Sequence, residues 1–109
     1  GFLMAKKDVA GTAMLVLALL KQREMYGYQI IEELDRRSEH VFQMKEGTLY
    51  PVLHGLEKDQ LVTAREAVTE QGRTRRYYAV TERGLRVLEE KEREWRTFSK
   101  AVTAILAGA

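Results

Sequence analysis

Residues 46–62 read Glu-Gly-Thr-Leu-Tyr-Pro-Val-Leu-His-Gly-Leu-Glu-Lys-Asp-Gln-Leu-Val. At about 100° per residue, Leu49, Val52, Leu53 and Leu56 fall on one narrow helical face. The same geometry sends Pro51, His54 and Lys58 to the opposite side, flanked by Thr48, Tyr50 and Gly55. That outward face combines hydroxyls, an imidazole, an ammonium and small residues, and it holds no carboxylate. A helix that is apolar behind and acid-free in front suits the major groove of DNA. Thr48 is expected to cap its start, leaving Pro51 in a first turn whose amides need no intrahelical partner. The competing readings are a solvated surface helix and a docking face for another protein. A docking face would expose large apolar residues, and here Tyr50 is the only large aromatic.

The flanking sequence places this helix third in a series. A first helix from Val9 to Lys21 is apolar nearly all round, so both its faces should be covered, one by the domain core and one, through Leu15, by a second subunit. A second helix from Gly27 to Ser38 turns Ile30, Ile31 and Leu34 inward and Glu32, Glu33, Arg36 and Arg37 outward. Beyond the third helix, Leu61–Val68 and Arg75–Val80 read as strands around the polar, glycine-bearing turn at 69–74. Three helices and then a hairpin is the order of a winged helix-turn-helix. The expected fold is mostly α with a two-stranded β-hairpin wing over residues 4–81, followed by a long C-terminal dimerisation helix over 82–109 that Thr81 caps. Gly1–Leu3 precede what looks like an ordinary start at Met4 and are set aside.

The last helix carries its own pattern. Leu88, Trp95 and Val102 recur every seven residues, with Leu85, Ser99 and Leu106 offset from them, while Phe98 and Ile105 widen the stripe. A stripe running past a small domain has nothing in its own chain to pack on, and homodimerisation is the simplest way to bury it. Trp95 is expected to anchor that seam. In a second reading, paired Trp95 side chains line a pocket for a small flat aromatic effector.

Composition narrows the function classes. One hundred and nine residues, 45% of them hydrophobic, make one small domain without room for a second core. Eighteen basic against 16 acidic residues give a net charge of +2, too little to argue nucleic-acid binding without a local patch. The absence of cysteine removes disulfides, thiolate metal sites and thiol nucleophiles together, and fits a cytoplasmic protein. The longest apolar run, Ala13–Leu20, falls far short of the roughly 20 residues that span a bilayer. Two serines without a recognisable triad, no phosphate-binding loop and two isolated histidines argue against an enzyme, a metal site or a cofactor.

The local patch lies on the hairpin. Arg73, Arg75 and Arg76 cluster at and just after its turn, where they suit phosphate or minor-groove contact. Lys45 stands just ahead of the third helix, within reach of a phosphate. Tyr26 and Gln29 begin the second helix, whose amide end attracts phosphate. Gly27 reads as a close-packing position, Tyr28 as core, and His54 as a base-edge or phosphate contact.

Five segments also carry a family resemblance. Tyr26-Gly27-Tyr28-Gln29-Ile30, Glu46-Gly47-Thr48-Leu49-Tyr50-Pro51, Leu56-Glu57-Lys58, Arg75-Arg76-Tyr77-Tyr78 and Thr81-Glu82-Arg83-Gly84 resemble, in order, the PadR family of bacterial winged-helix regulators. The resemblance spans Met14 to Leu88. It implies a homodimeric repressor of the short form that binds a pseudo-palindromic double-stranded operator and answers a small molecule or stress signal. One departure is Gln60, where the family usually has glycine. A left-handed backbone there disfavours Gln by about 1 kcal/mol.

Overall fold

The computed structural model describes residues 11–108, in the order α1 (Thr12–Gln22), β1 (Met25–Tyr26), α2 (Gly27–Arg37), α3 (Glu46–Lys58), β2 (Val62–Val68), β3 (Thr74–Val80) and α4 (Glu82–Leu106). Val9, Ala10 and the expected start at Met4 lie outside the described residues. Every residue from Thr12 to Leu20 is at least partly covered, in keeping with the apolar circumference of that helix. Val16, Leu17, Leu19 and Leu20 join Ile30, Leu34, Leu49, Leu53, Leu56 and Tyr78 in one core.

The wing has a third strand that the sequence pattern did not reveal. The sheet runs β1-β3-β2, all antiparallel, with Tyr26 opposite Tyr77 and Arg65 opposite Tyr77 on its other side. At two residues, β1 is too short for any period to register; its strand character comes from pairing with β3. The turn closes with Thr69 N donating to the Arg73 carbonyl at 2.8 Å, and Gly72 supplies the positive φ of 79°.

Several expectations need correction. Tyr28 is not core: it stands on the outer side of α2, 55% exposed. Glu33 is not freely outward, because Arg36 and Arg37 both close over its carboxylate at 2.9 Å. Thr48 does not cap α3. The helix starts earlier, at Glu46, and the amides of Thr48 and Leu49 both donate to the Lys45 carbonyl at 3.0 Å. Pro51 is therefore interior. The bond it cannot donate would have gone to Gly47, which is exposed, so water can satisfy that carbonyl.

The end of α3 matches the expectation for Gln60, whose φ is 62°. Gln60 N donates to the Glu57 carbonyl at 3.0 Å and Leu61 N to the Leu56 carbonyl at 2.8 Å, the two bonds of a Schellman motif, with Leu56 and Leu61 both buried.

Thr81 then starts α4. Its hydroxyl oxygen accepts from Gly84 N at 2.9 Å and donates to the Gln60 carbonyl at 2.8 Å. Gly84 must be glycine, since a Cβ there would lie 2.1 Å from the Leu61 carbonyl oxygen. This approach drives the first turns of α4 into the body and leaves Leu88 only 1% exposed. Leu88 therefore belongs to the core of its own chain rather than to an exposed stripe. No later residue of α4 is buried: Trp95 is 48% exposed, Ile105 75% and Leu106 81%.

Two substitutions should move stability in opposite directions. Gly84→Ala should destabilise by about 1–3 kcal/mol, because a backbone carbonyl cannot step aside. Gln60→Gly should stabilise by up to about 1 kcal/mol by relieving a left-handed side-chain conformation. Urea midpoints at constant m-value would measure both.

Candidate nucleic-acid interface

Built from the helix outward, the front of α3 holds Gly47, Thr48, Pro51, His54, Gly55 and Lys58, all exposed. Nothing lies within 4 Å of a Cβ built on Gly47 or Gly55, so the helix presents a low, open ridge. Leu49, Leu53 and Leu56 are buried behind it. Lys45 stands exposed at its amino end, where Glu46 adds one acid to the first turn, outside the segment expected to be helical.

Tyr50 does not share that front. It is half-buried against α2, and a Cβ on Gly27 would fall 2.4 Å from its phenol oxygen. Two of the quoted motifs thus meet in one contact: Gly27 is small so that Tyr50 can lie across it. Burial pushes the Tyr50 phenol up from its ordinary pKa, with the Glu46 carboxylate acting in the same direction. The ring stays within 6.4 Å of His54, centroid to centroid. Tyr50 is therefore a packing residue before it is anything else.

The wing arginines separate as well. Adjacent strand residues point to opposite faces, so Arg75 and Arg76 part company. Arg76 turns toward α3, where its Nη2 lies 2.8 Å from Glu57 Oε2. Arg75 turns to the outer face of the sheet, its guanidinium carbon 4.3 Å from the Tyr26 ring centroid. Arg65, a residue the sequence reading passed over, shares this outer face, over Tyr77 at 5.0 Å and bonded to the Glu24 carboxylate. That bond holds Glu24 below its ordinary pKa. Tyr26 and Tyr77 meet edge-to-face at 5.4 Å.

Four arginines thus differ in what occupies them. Arg65 and Arg76 have carboxylate partners. Among the described residues no carboxylate pairs with Arg73 or Arg75. At the start of α2, the side-chain oxygen of Gln29 accepts from the Tyr26 amide at 3.1 Å. Glu57 and Glu24 are the participants that sequence reasoning missed. Strand period alone would have separated Arg75 from Arg76, but the carboxylate partners come from distant elements. Among the described residues no three His, Cys, Asp or Glu side chains gather as a metal site, and no helix is long and apolar enough to cross a membrane.

The model of the Transcriptional regulator PadR-like family matches residues 16–90. A transcriptional regulator of Mycobacterium tuberculosis is 33% identical over 93 residues, 85% of this chain and 83% of that protein. A PadR-like transcriptional regulator from Bacillus cereus superposes with a TM-score of 0.79 at 28% identity, covering 95% of this chain and all (100%) of that one. A PadR family transcription regulator from Clostridium difficile R20291 gives 0.75 at 31% identity, over 86% and 96% of the two chains.

The burial pattern sets an expectation for the two aromatic residues of α3. Tyr50→Ala should lower stability by about 1–2 kcal/mol through lost packing, whereas His54→Ala should stay within about 0.5 kcal/mol of wild type. Equal thermal shifts in the two variants would put Tyr50 back on the solvent face.

Proposed function

Because the chain belongs to the PadR-like family of transcriptional regulators, we propose that it is a homodimeric repressor that binds double-stranded operator DNA. In this reading α3 enters the major groove with Thr48, Pro51, His54 and Lys58 toward the bases, and Lys45 toward phosphate. The wing lies on the neighbouring backbone or minor groove through Arg73 and Arg75. The observation that carries it is the juxtaposition of a low polar ridge on α3 with a wing on which, among the described residues, two arginines have no carboxylate partner.

Arg76, expected at the DNA backbone, also ties the wing to α3 through Glu57, and in this reading that tie is its main role. Arg73→Ala and Arg75→Ala should each flatten the slope of log K against log[salt] by about 1 unit. Arg76→Ala should flatten it less, and Glu57→Gln, by releasing Arg76, should tighten binding to random duplex. Titration of labelled duplex at several salt concentrations reads all four variants. Identical slopes across the series would take the wing out of the interface.

One reading helix spans few base pairs, and a two-fold operator calls for two heads about 34 Å apart. The apolar stripe of α4 beyond Leu88, with Trp95, Phe98, Val102 and Ile105, supports pairing there, with Leu85 and the half-covered Leu15 of α1 alongside. The rings of Trp95 and Phe98 stand 6.1 Å apart and form an apolar wall. Doubled in a dimer, that wall suits a flat aromatic effector, whose entry would alter the spacing of the heads. Trp95→Asp would set an unpaired carboxylate in the seam. The variant should become monomeric or aggregate and lose operator binding with its α3 and wing surfaces untouched. Sedimentation and gel shift on one sample decide it: a dimer with normal affinity would move the seam elsewhere.

A further inference from the structure

We infer that Tyr26 is a positioning residue: it presents the Arg75 guanidinium to a DNA phosphate by stacking, without touching the nucleic acid itself. The inference rests on the DNA-binding reading above.

The chemistry lies in which part of each guanidinium is occupied. Arg65 donates from both Nε and Nη2 to the Glu24 carboxylate, so its phosphate-recognising fork is taken, and Arg76 commits one Nη2 donor to Glu57. The Arg75 guanidinium carbon lies over the Tyr26 ring, 4.3 Å from its centroid, and among the described residues Arg75 has no carboxylate partner. A guanidinium stacked on a ring keeps its N–H groups in the plane and free, pre-oriented for bidentate donation. The charge is retained and much of the side-chain freedom is removed before any ligand arrives.

The platform itself is rigid. The Tyr26 ring packs edge-on against Tyr77 at 5.4 Å, its backbone pairs with Tyr77 in the sheet, and its amide is bonded to Gln29 Oε1 at 3.1 Å. Gln29 therefore acts on the interface through Tyr26. A lysine in place of Arg75 would keep the charge but has no planar face to stack.

A double-mutant cycle on the full-length protein, with duplex DNA as the probe, tests this. Tyr26→Phe, which keeps the ring, should bind like wild type. Tyr26→Leu, which keeps bulk but no π face, should lose about three-fold in affinity per protomer. Arg75→Lys should lose a similar factor while leaving the salt slope unchanged, since charge is conserved. Tyr26→Leu added to Arg75→Lys should produce no further loss, because the stack is already gone. The Arg75 Nε–H proton of the free protein should show an upfield ring-current shift that disappears in Tyr26→Leu and persists in Tyr26→Phe. Additive losses, a weakened Tyr26→Phe, or the absence of that shift would overturn the inference while wild-type binding stands. A wild type that binds no duplex would instead overturn the DNA-binding reading itself, whatever the proton shift.

Discussion

The carbonyl group of Leu61 is the point on which the rest of this molecule turns. It lies just past the left-handed Gln60 that ends α3, accepts the Thr81 amide at 3.0 Å, and sits so close to Gly84 that a Cβ there would be 2.1 Å away. One peptide unit thus joins the end of α3, the start of the wing and the first turn of α4. The Thr81 hydroxyl bridges the same junction from Gly84 N to the Gln60 carbonyl. Because the contact is backbone against backbone, it has little slack, and the direction in which α4 leaves the body is set relative to α3. At about 1.5 Å per residue, its 25 residues then carry that direction some 37 Å. In the proposed dimer, two heads held at a defined spacing would need such a stiff joint at the base of each arm.

Beyond that joint, the proposed function would turn on how a modest charge is apportioned. A net charge of +2 is weak for a DNA-binding protein. In the proposed complex the wing would compensate by sorting its arginines: two are tied to carboxylates, while among the described residues Arg73 and Arg75 have no carboxylate partner. Exposed ion pairs of this kind add little stability in themselves. Their consequence is orientation, since Glu57 lies on α3 and Glu24 lies just before β1, and each steadies the hairpin from a different side.

Much of this was readable in the residues, and the misreadings share a cause. The leucine face of α3, the Gln60 backbone, the hairpin and the capped α4 are all local patterns, and local patterns are what periodicity reports. Tyr50 was misread because it lies at the margin of the outward face, where a helical wheel cannot decide. Gly27, on another element, decides it by leaving room for the ring. Leu88 was misread because a heptad stripe is continuous and does not mark where the body stops. The mark was there in Thr81-Glu82-Arg83-Gly84, whose glycine is required only if α4 is pressed against a neighbouring backbone. The arginines at 75 and 76 were grouped by proximity in sequence, although strand alternation separates them. Glu24, Glu57 and β1 were beyond reach, because each acquires its role from a partner many residues away.

The low front of α3 bears on how such a head would discriminate among sequences. Gly47 and Gly55 add no bulk, and Pro51 and Thr48 add little, so the backbone of the helix can approach the floor of a groove closely. Few long side chains remain to make bidentate base contacts, and His54 and Lys58 are the only extended ones on that face. Direct readout by one head would be correspondingly shallow, and specificity would depend on shape complementarity, on a wing held in register and on two heads engaging together. The interior proline fits this arrangement. It removes a helical hydrogen bond on the exposed side, where water, or in the proposed complex a groove, lies beside the freed Gly47 carbonyl. In the proposed complex, the weakness of each contact would make the rigid Leu61 joint and the proposed second subunit the elements on which recognition depends.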